Sequence, residues 1–373
     1  MSATASVQSR AALFLRERLA VFDPALLAIV GALAMAGLLT LYSAGADFPW
    51  RFTDQLRNFA VAAAVMFVFA SIPPTTLAKF ALPAYALGLL LLLAVELAGT
   101  TVKGATRWLN LGVITIQPSE MMRLALPMML AWYFHKREGQ IGRLDFIVAT
   151  LLVAAPVALI VHQPDLGTAL LVLAAGAYII FFAGLPWKWL TTLVVAGLAF
   201  LPVAWSLMHD YQRQRVLTLI DPSTDPLGKG FHTLQAMIAI GSGGVFGKGW
   251  MQGTQTHLEF IPERTSDFIF AVYSEEFGLV GNLVLLVLFF ALVARAFTIA
   301  LGAANLFGRL LASAIALIMF TYAFVNMGMV SGILPVVGVP LPFISYGGTA
   351  LVTLGMACGM LMSIQRHRKL VQT

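Results

Sequence analysis

Ten apolar stretches dominate this sequence, at residues 25–41, 59–72, 80–98, 121–134, 146–161, 167–184, 189–208, 268–298, 309–330 and 349–364. A hydrocarbon crossing takes about 20 mostly apolar residues, and inside lipid every backbone N–H and C=O must find its partner within the protein. The stretches therefore predict an all-α, polytopic membrane protein with about ten transmembrane helices. The second and fourth are short, so flanking residues must complete them. A soluble alternative fails on charge: charged residues are 11% of the chain, against about a quarter in soluble domains. Internal repeats are not evident, so a transporter built from two repeated halves gains no support.

An even number of crossings puts both termini on one side, and the basic residues say which. The termini and connections of that side carry Arg10, Arg16, Arg18, Lys79, Lys136, Arg137, Arg143, Lys188, Arg366, Arg368 and Lys369, with Arg295 and Arg309 at the ends of spans. These are more than half of the 23 lysines and arginines. Both termini are expected in the cytoplasm, and residues 1–24 read as a cytosolic lead-in without a cleavage site. The chain reads as a single multi-pass domain over 1–373, with one large extracytoplasmic loop at about 209–267. The net charge of +6 follows this topology and gives no support to a nucleic-acid partner. Cys358, the only cysteine, excludes an intramolecular disulfide framework and a cysteine zinc site, and is expected within the membrane.

A charged group inside or beside a span is costly and marks a functional candidate. Such groups gather towards the outer face. One external connection holds Lys103, Arg107 and Trp108, then Gln117-Pro118-Ser119-Glu120 and Arg123. Glu120 and Arg123 are three residues apart and share a face if a helix starts near Ser119; they read equally as a structural ion pair or as part of a site. Asp165, in the turn Gln163-Pro164-Asp165-Leu166-Gly167-Thr168, reads first as a helix cap. The glycine-rich run from Gly241 to Gly249 is no Walker A loop, because Ser242 and Gly249 stand where that motif needs glycine and Ser/Thr. Its amides and Lys248 could hold an anion, or it could be a hinge. The densest cluster runs Glu263-Arg264-Thr265-Ser266-Asp267, then Glu275-Glu276. An uninterrupted helix over 268–298 would be about 46 Å long, longer than the hydrocarbon, and would place Asp267 at outer headgroup level. Asp267 alone reads as a cap. Lys103, Arg107, Lys248 and Arg264 nearby in this layer could neutralise a pyrophosphate, and Trp108 could stack on a sugar.

The ordered set Arg107-Trp108, Gln117-Pro118-Ser119-Glu120, Gln163-Pro164-Asp165-Leu166-Gly167-Thr168, Ile240-Gly241-Ser242-Gly243-Gly244, Pro262-Glu263-Arg264 with Asp267-Phe268, and Pro340-Leu341-Pro342-Phe343-Ile344-Ser345-Tyr346-Gly347-Gly348 resembles the shape, elongation, division and sporulation (SEDS) family of bacterial peptidoglycan glycosyltransferases. The resemblance runs from about residue 25 to 365. Each motif is weak singly and the six in order are specific. Val339-Pro340-Leu341 is closer to the elongation members than to the division members. Two positions depart from the pattern: Arg123 stands where lysine is common, and Thr265-Ser266 where His-Thr is common.

The resemblance implies polymerisation of lipid II at the outer face of the bacterial cytoplasmic membrane. The donor is a glycan on undecaprenyl pyrophosphate, the acceptor the 4-hydroxyl of an incoming lipid II, and the partner a class B penicillin-binding transpeptidase. It places the essential aspartate on Asp267 and puts Ser345 with the substrate-binding candidates. An α-linked donor giving a β-linked product means inversion, which needs a general base and cations at the leaving pyrophosphate. No cofactor is evident; a divalent cation is compatible with the chemistry, but no clear ligand set appears. Two other classes fit the same residues: a flippase for the lipid-linked precursor, and a non-catalytic scaffold.

Overall fold

The computed structural model describes residues 21–102, 105–110, 115–208, 213, 217–219, 229–257, 261 and 263–368. Each of the ten apolar stretches falls on a helix. In chain order these are α1 (Pro24–Ala44), α2 (Pro49–Ser71) and α3 (Pro74–Ala98), a small sheet, then α4 (Pro118–Lys136), α5 (Arg143–His162), α6 (Leu166–Phe182) and α7 (Trp187–Leu207). After them come α8 (Lys229–Ser242), the short α9 (Thr254–His257), α10 (Ile269–Leu301), α11 (Leu306–Val330) and α12 (Gly348–Arg366). Six of them, α1, α3, α5, α10, α11 and α12, are long and apolar enough to cross a membrane by length and composition. Proline at the first turn starts α1 to α4, where its missing N–H costs nothing. The side chains of Asp23, Asp165 and Asn305 cap α1, α6 and α11. The helices on the second and fourth stretches extend beyond them, the second from Pro49 and the fourth from Pro118.

Lipid leaves apolar side chains no reason to turn inward, so burial here tracks helix contact. α4 and α11 are the most enclosed: α4 packs on α3, α6 and α11, and α11 on α10, α6 and α4. α2 pairs with α12, and α1 with α10. α7 differs, since every described side chain on it except Leu190 is exposed.

The connections collect at two ends. At one, Asp23 meets Arg295, Asp145 meets Tyr133 and Arg137, and Ser363 reaches Ile72. At the other lie the 44–48 turn, a three-stranded antiparallel sheet, the 163–165 turn, residues 243–257, the turn 263–268 and residues 331–347. The sheet has the order β1 (Thr100–Val102), β2 (Ala105–Asn110), β3 (Thr115–Ile116). The all-α expectation holds apart from these strands.

The long helix predicted after Asp267 is interrupted. Gly278 in α10 has φ 64° and ψ −160°, left-handed backbone that disfavours a side chain. The break removes the helical bonds that the carbonyls of Glu275 and Glu276 would have accepted from the amides of Leu279 and Val280. The glycine-rich run supplies both halves. Lys248 and Gly249 amides donate to the Glu275 and Glu276 carbonyls at 2.9 and 3.0 Å, and Leu279 and Val280 amides donate to the Gly244 and Val245 carbonyls at 2.9 and 3.0 Å. A Cβ on Gly247 or Gly278 would collide with the facing backbone. The run is thus a splice across a broken helix, with those two amides committed to it. The apolar stretch 231–240, too short to cross, forms most of α8, which lies against α10.

Candidate functional site

Asp267 closes the turn 263–268 that leads into α10. The Ser266 and Phe268 amides donate to the Glu263 carbonyl at 3.1 and 3.2 Å, and the Ser266 hydroxyl donates to Glu263 Oε2 at 2.9 Å. Three other elements then fasten the turn. From the 340–347 loop, Ser345 Oγ donates to the Ser266 carbonyl at 2.7 Å and accepts from the Leu341 amide at 2.8 Å, while the Tyr346 amide donates to the Thr265 carbonyl at 2.9 Å. From α2, Arg51 Nη1 donates to Thr265 Oγ1 at 2.6 Å, and Gln55 holds the Ser345 carbonyl at 3.1 Å. From α11, Asn326 Nδ2 donates to the Asp267 carbonyl at 2.9 Å. Asp267 itself is half-buried.

A second polar cluster is built on the N-terminal ends of α4 and α6. Because α4 begins at Pro118, Glu120 and Arg123 do share a face, and Arg123 Nη1 lies 2.5 Å from Glu120 Oε2 with both side chains about 90% or more buried. Arg123 Nη2 also donates to Thr168 Oγ1 at 3.2 Å, and its guanidinium lies 4.9 Å from the Tyr322 ring centroid. Asp165 caps α6 through the Thr168 amide, at 3.2 Å. The same carboxylate accepts from Gln117 at 3.3 Å and pairs with Arg107 Nε at 3.6 Å. Arg107 Nη2 donates to the Pro164 carbonyl at 2.9 Å. Trp108, next to it on β2, is half-buried. A narrow groove runs between the two clusters: Glu120 and Arg123 form one wall, Ser345 and Gly347 another, and Leu124, Ile315, Met319 and Leu351 make it apolar.

Arg107, Asp165, Arg123 and Glu120 are thereby joined in one cluster through Thr168, and Ser345 and Asp267 in the other through Ser266. Arg264 and Lys248 are held differently. Arg264 is buried in the turn after α1, donating to the Ala44 carbonyl at 2.9 Å and pairing with Asp47. Lys248 Nζ lies 2.6 Å from Glu275 Oε1. Lys103 lies outside the described residues. Among the described residues no three His, Cys, Asp or Glu side chains are grouped as metal ligands. Sequence reasoning missed Arg51, Gln55, Tyr322 and Asn326. Asn326 was detectable, as a polar side chain within an apolar span. Arg51, stacked 4.5 Å from the Phe48 ring centroid and 5.8 Å from that of Tyr346, carried no local signal.

The apolar helices, with a polar, arginine-bearing cluster at one end, define a polytopic membrane protein. The chain belongs to the FtsW/RodA/SpoVE family of cell cycle proteins, whose profile matches residues 19–370. It is 47% identical over 350 residues to the peptidoglycan glycosyltransferase MrdB of Escherichia coli K12, covering 94% of this chain and 95% of that one. Rod shape determining protein RodA of Thermus thermophilus, solved by crystallography, is 31% identical with a TM-score of 0.71, covering 93% of this chain and 97% of that chain. A chain from a structure described as "Structural coordination of polymerization and crosslinking by a peptidoglycan synthase complex" is 35% identical, with a TM-score of 0.81 and coverage of 94% and 99%.

Proposed function

We propose that this chain is a peptidoglycan glycosyltransferase that polymerises lipid II at the outer face of the bacterial cytoplasmic membrane during cell elongation. Glycosyltransferase activity follows from membership of the family and from the 47% identity to MrdB over nearly the whole of both chains. The observation that carries the mechanism is the setting of Asp267: a half-buried carboxylate on a turn fixed by three separate elements, one of which brings Arg51 onto the neighbouring Thr265. Asp267 takes the proton of the acceptor 4-hydroxyl as the oxygen attacks the donor's anomeric carbon from the face opposite the pyrophosphate, so the reaction inverts. Arg107 and Arg123 stabilise the departing pyrophosphate's charge. The apolar groove beside Glu120 and Arg123 accommodates part of an isoprenoid chain, Trp108 offers a face to a sugar, and Ser345 positions the turn. Lys103 belongs with the cations by its place in the sequence.

In this reading the chain is one multi-pass domain crossing ten times, with α2, α4, α6 and α7 joining the six longer apolar helices. Its termini lie in the cytoplasm and the 209–267 loop outside. The segregation of the connections to two ends supports this, because alternate connections meet at the same end, and the positive-inside bias orients it. Cysteines introduced at Ser223 and Gly139 of a Cys358→Ala chain should label from outside and inside respectively; labelling of both from one side sinks the ten-span topology. The partner is a class B penicillin-binding transpeptidase, supported by the relative within a synthase complex.

The groove would serve a flippase of the lipid-linked precursor equally well, so the deciding experiment is incubation of the pure chain, alone and with the transpeptidase, with labelled lipid II and no ion gradient. Glycan polymer is expected. Precursor movement across vesicles without polymer under either condition would favour the flippase.

A further inference from the structure

Asn326 is completely buried on α11, and its amide spans the two chain segments that meet at Asp267. Nδ2 donates one hydrogen to the Asp267 carbonyl at 2.9 Å and the other to the Val339 carbonyl at 2.6 Å. The second segment matters because Gly338, next to Val339, lies under the carboxylate. A Cβ built on Gly338 would sit 3.2 Å from Asp267 Oδ2, and Gly338 has φ +77°, where a side chain is disfavoured. One amide therefore holds both the residue that bears the carboxylate and the backbone over which that carboxylate stands. Within the described residues Asn326 Oδ1 is buried without a hydrogen-bond partner, a cost that packing alone would remove by an apolar side chain. The anchor stands on a largely buried helix, whereas Asp267 lies in a turn and Gly338 in an irregular segment.

We infer that Asn326 is a positioning residue for the Asp267 base: it fixes the Asp267 and Val339 carbonyls together, so that the carboxylate stands over the side-chain-free Gly338 and faces the acceptor hydroxyl. This rests on the reading of Asp267 as the base. Misplacement of a reacting group by about 1 Å can cost about 10² in rate, so Asn326 should govern turnover rather than substrate affinity.

The test uses the full chain in liposomes with its transpeptidase partner and measures polymerisation against lipid II concentration. Asn326→Ala is expected to lower kcat by about 10² and change KM by less than about twofold. Asn326→Gln, which keeps the donors on a longer arm, should recover part of kcat. Gly338→Ala guards against a folding failure of Asn326→Ala: it keeps the Asn326 amide yet presses on the carboxylate, and kcat should again fall at constant KM. A wild-type kcat in either folded variant, or a loss carried by KM, overturns the inference. Asp267→Asn separates the two levels. If it is inactive while Asn326→Ala is fully active, only the positioning role fails; if it polymerises normally, the base reading fails and this inference falls with it.

Discussion

Asp267 and Glu275 lie eight positions apart in one acidic cluster, and the fold treats them in opposite ways. Glu275 is 0% exposed, and its Oε1 accepts from Lys248 Nζ at 2.6 Å, from the Thr254 and Gln255 amides at 2.9 and 3.2 Å, and from the Thr254 hydroxyl at 3.1 Å. That carboxylate caps α9 and ties the glycine-rich run to the broken helix. Asp267 is gripped through its carbonyl and its neighbours' backbone, and its side chain stays half-buried beside a glycine. A carboxylate buried against a lysine and two backbone amides is committed to holding the structure together. One whose main chain is held rigid can be placed at a reactive centre. Sequence proximity does not separate the two; depth of burial and the hold on the main chain do.

The largest expected effect breaks the comparison if it fails. Asp267→Asn preserves size but cannot accept the proton, so lipid II polymerisation should fall by about 10²–10⁴ while membrane insertion and partner binding persist. Near-normal polymer from this variant would reduce Asp267 to a second structural carboxylate. Lys248→Met should do the reverse. It strands Glu275 as an unpaired buried charge, costing about 3 kcal/mol of stability, with KM for lipid II unchanged in whatever fraction folds. Adding Glu275→Gln should restore part of the unfolding midpoint. A KM defect in a normally stable Lys248→Met protein would instead return Lys248 to the substrate.

The sequence disclosed the helices and the identity of the key residues better than it disclosed their company. Hydrophobic length placed a helix on each of the ten apolar stretches, because helical backbone bonds close locally. The Glu120–Arg123 pair and the Asp165 cap were legible for the same reason, being contacts three residues apart. Two contacts that sort the site span 214 and 290 residues, Arg51 with Thr265 and Gln55 with Ser345, and no periodicity announces them. The break at Gly278 was hidden too. The residues around it read as continuous helix, and the glycine run that completes it lies about thirty residues earlier, where it reads as an anion-holding loop or a hinge. Lys248 was grouped with the other outer cations because charge is visible in a sequence and the buried Glu275 that claims it is not.

Asp23, at the opposite end of the bundle, extends the comparison to a third carboxylate and carries the smallest expected effect. It caps α1 through the Leu26 amide at 2.8 Å and pairs with Arg295. Burial, the largest single influence, pushes its acidity the other way, but the Arg295 and Leu26 hydrogen bonds and the Arg295 charge together outweigh it and hold the carboxyl below its ordinary range. A folded-state pKa below the unfolded one means that the ionised form is favoured by folding. The contribution is therefore complete above the unfolded value, near 3.8, and is lost as pH falls through the lower folded value. Asp23→Asn keeps the cap and removes only the ion pair, so it should lower the unfolding midpoint slightly at neutral pH, by the equivalent of about 1 kcal/mol or less. The gap from the unsubstituted chain should close as pH is taken below 3.8. Polymerisation should be untouched, because this end holds none of the groups that meet lipid II. A gap that persists unchanged in acid would show that Asp23 acts by packing rather than by charge, while a fall in kcat would couple the two ends of the bundle.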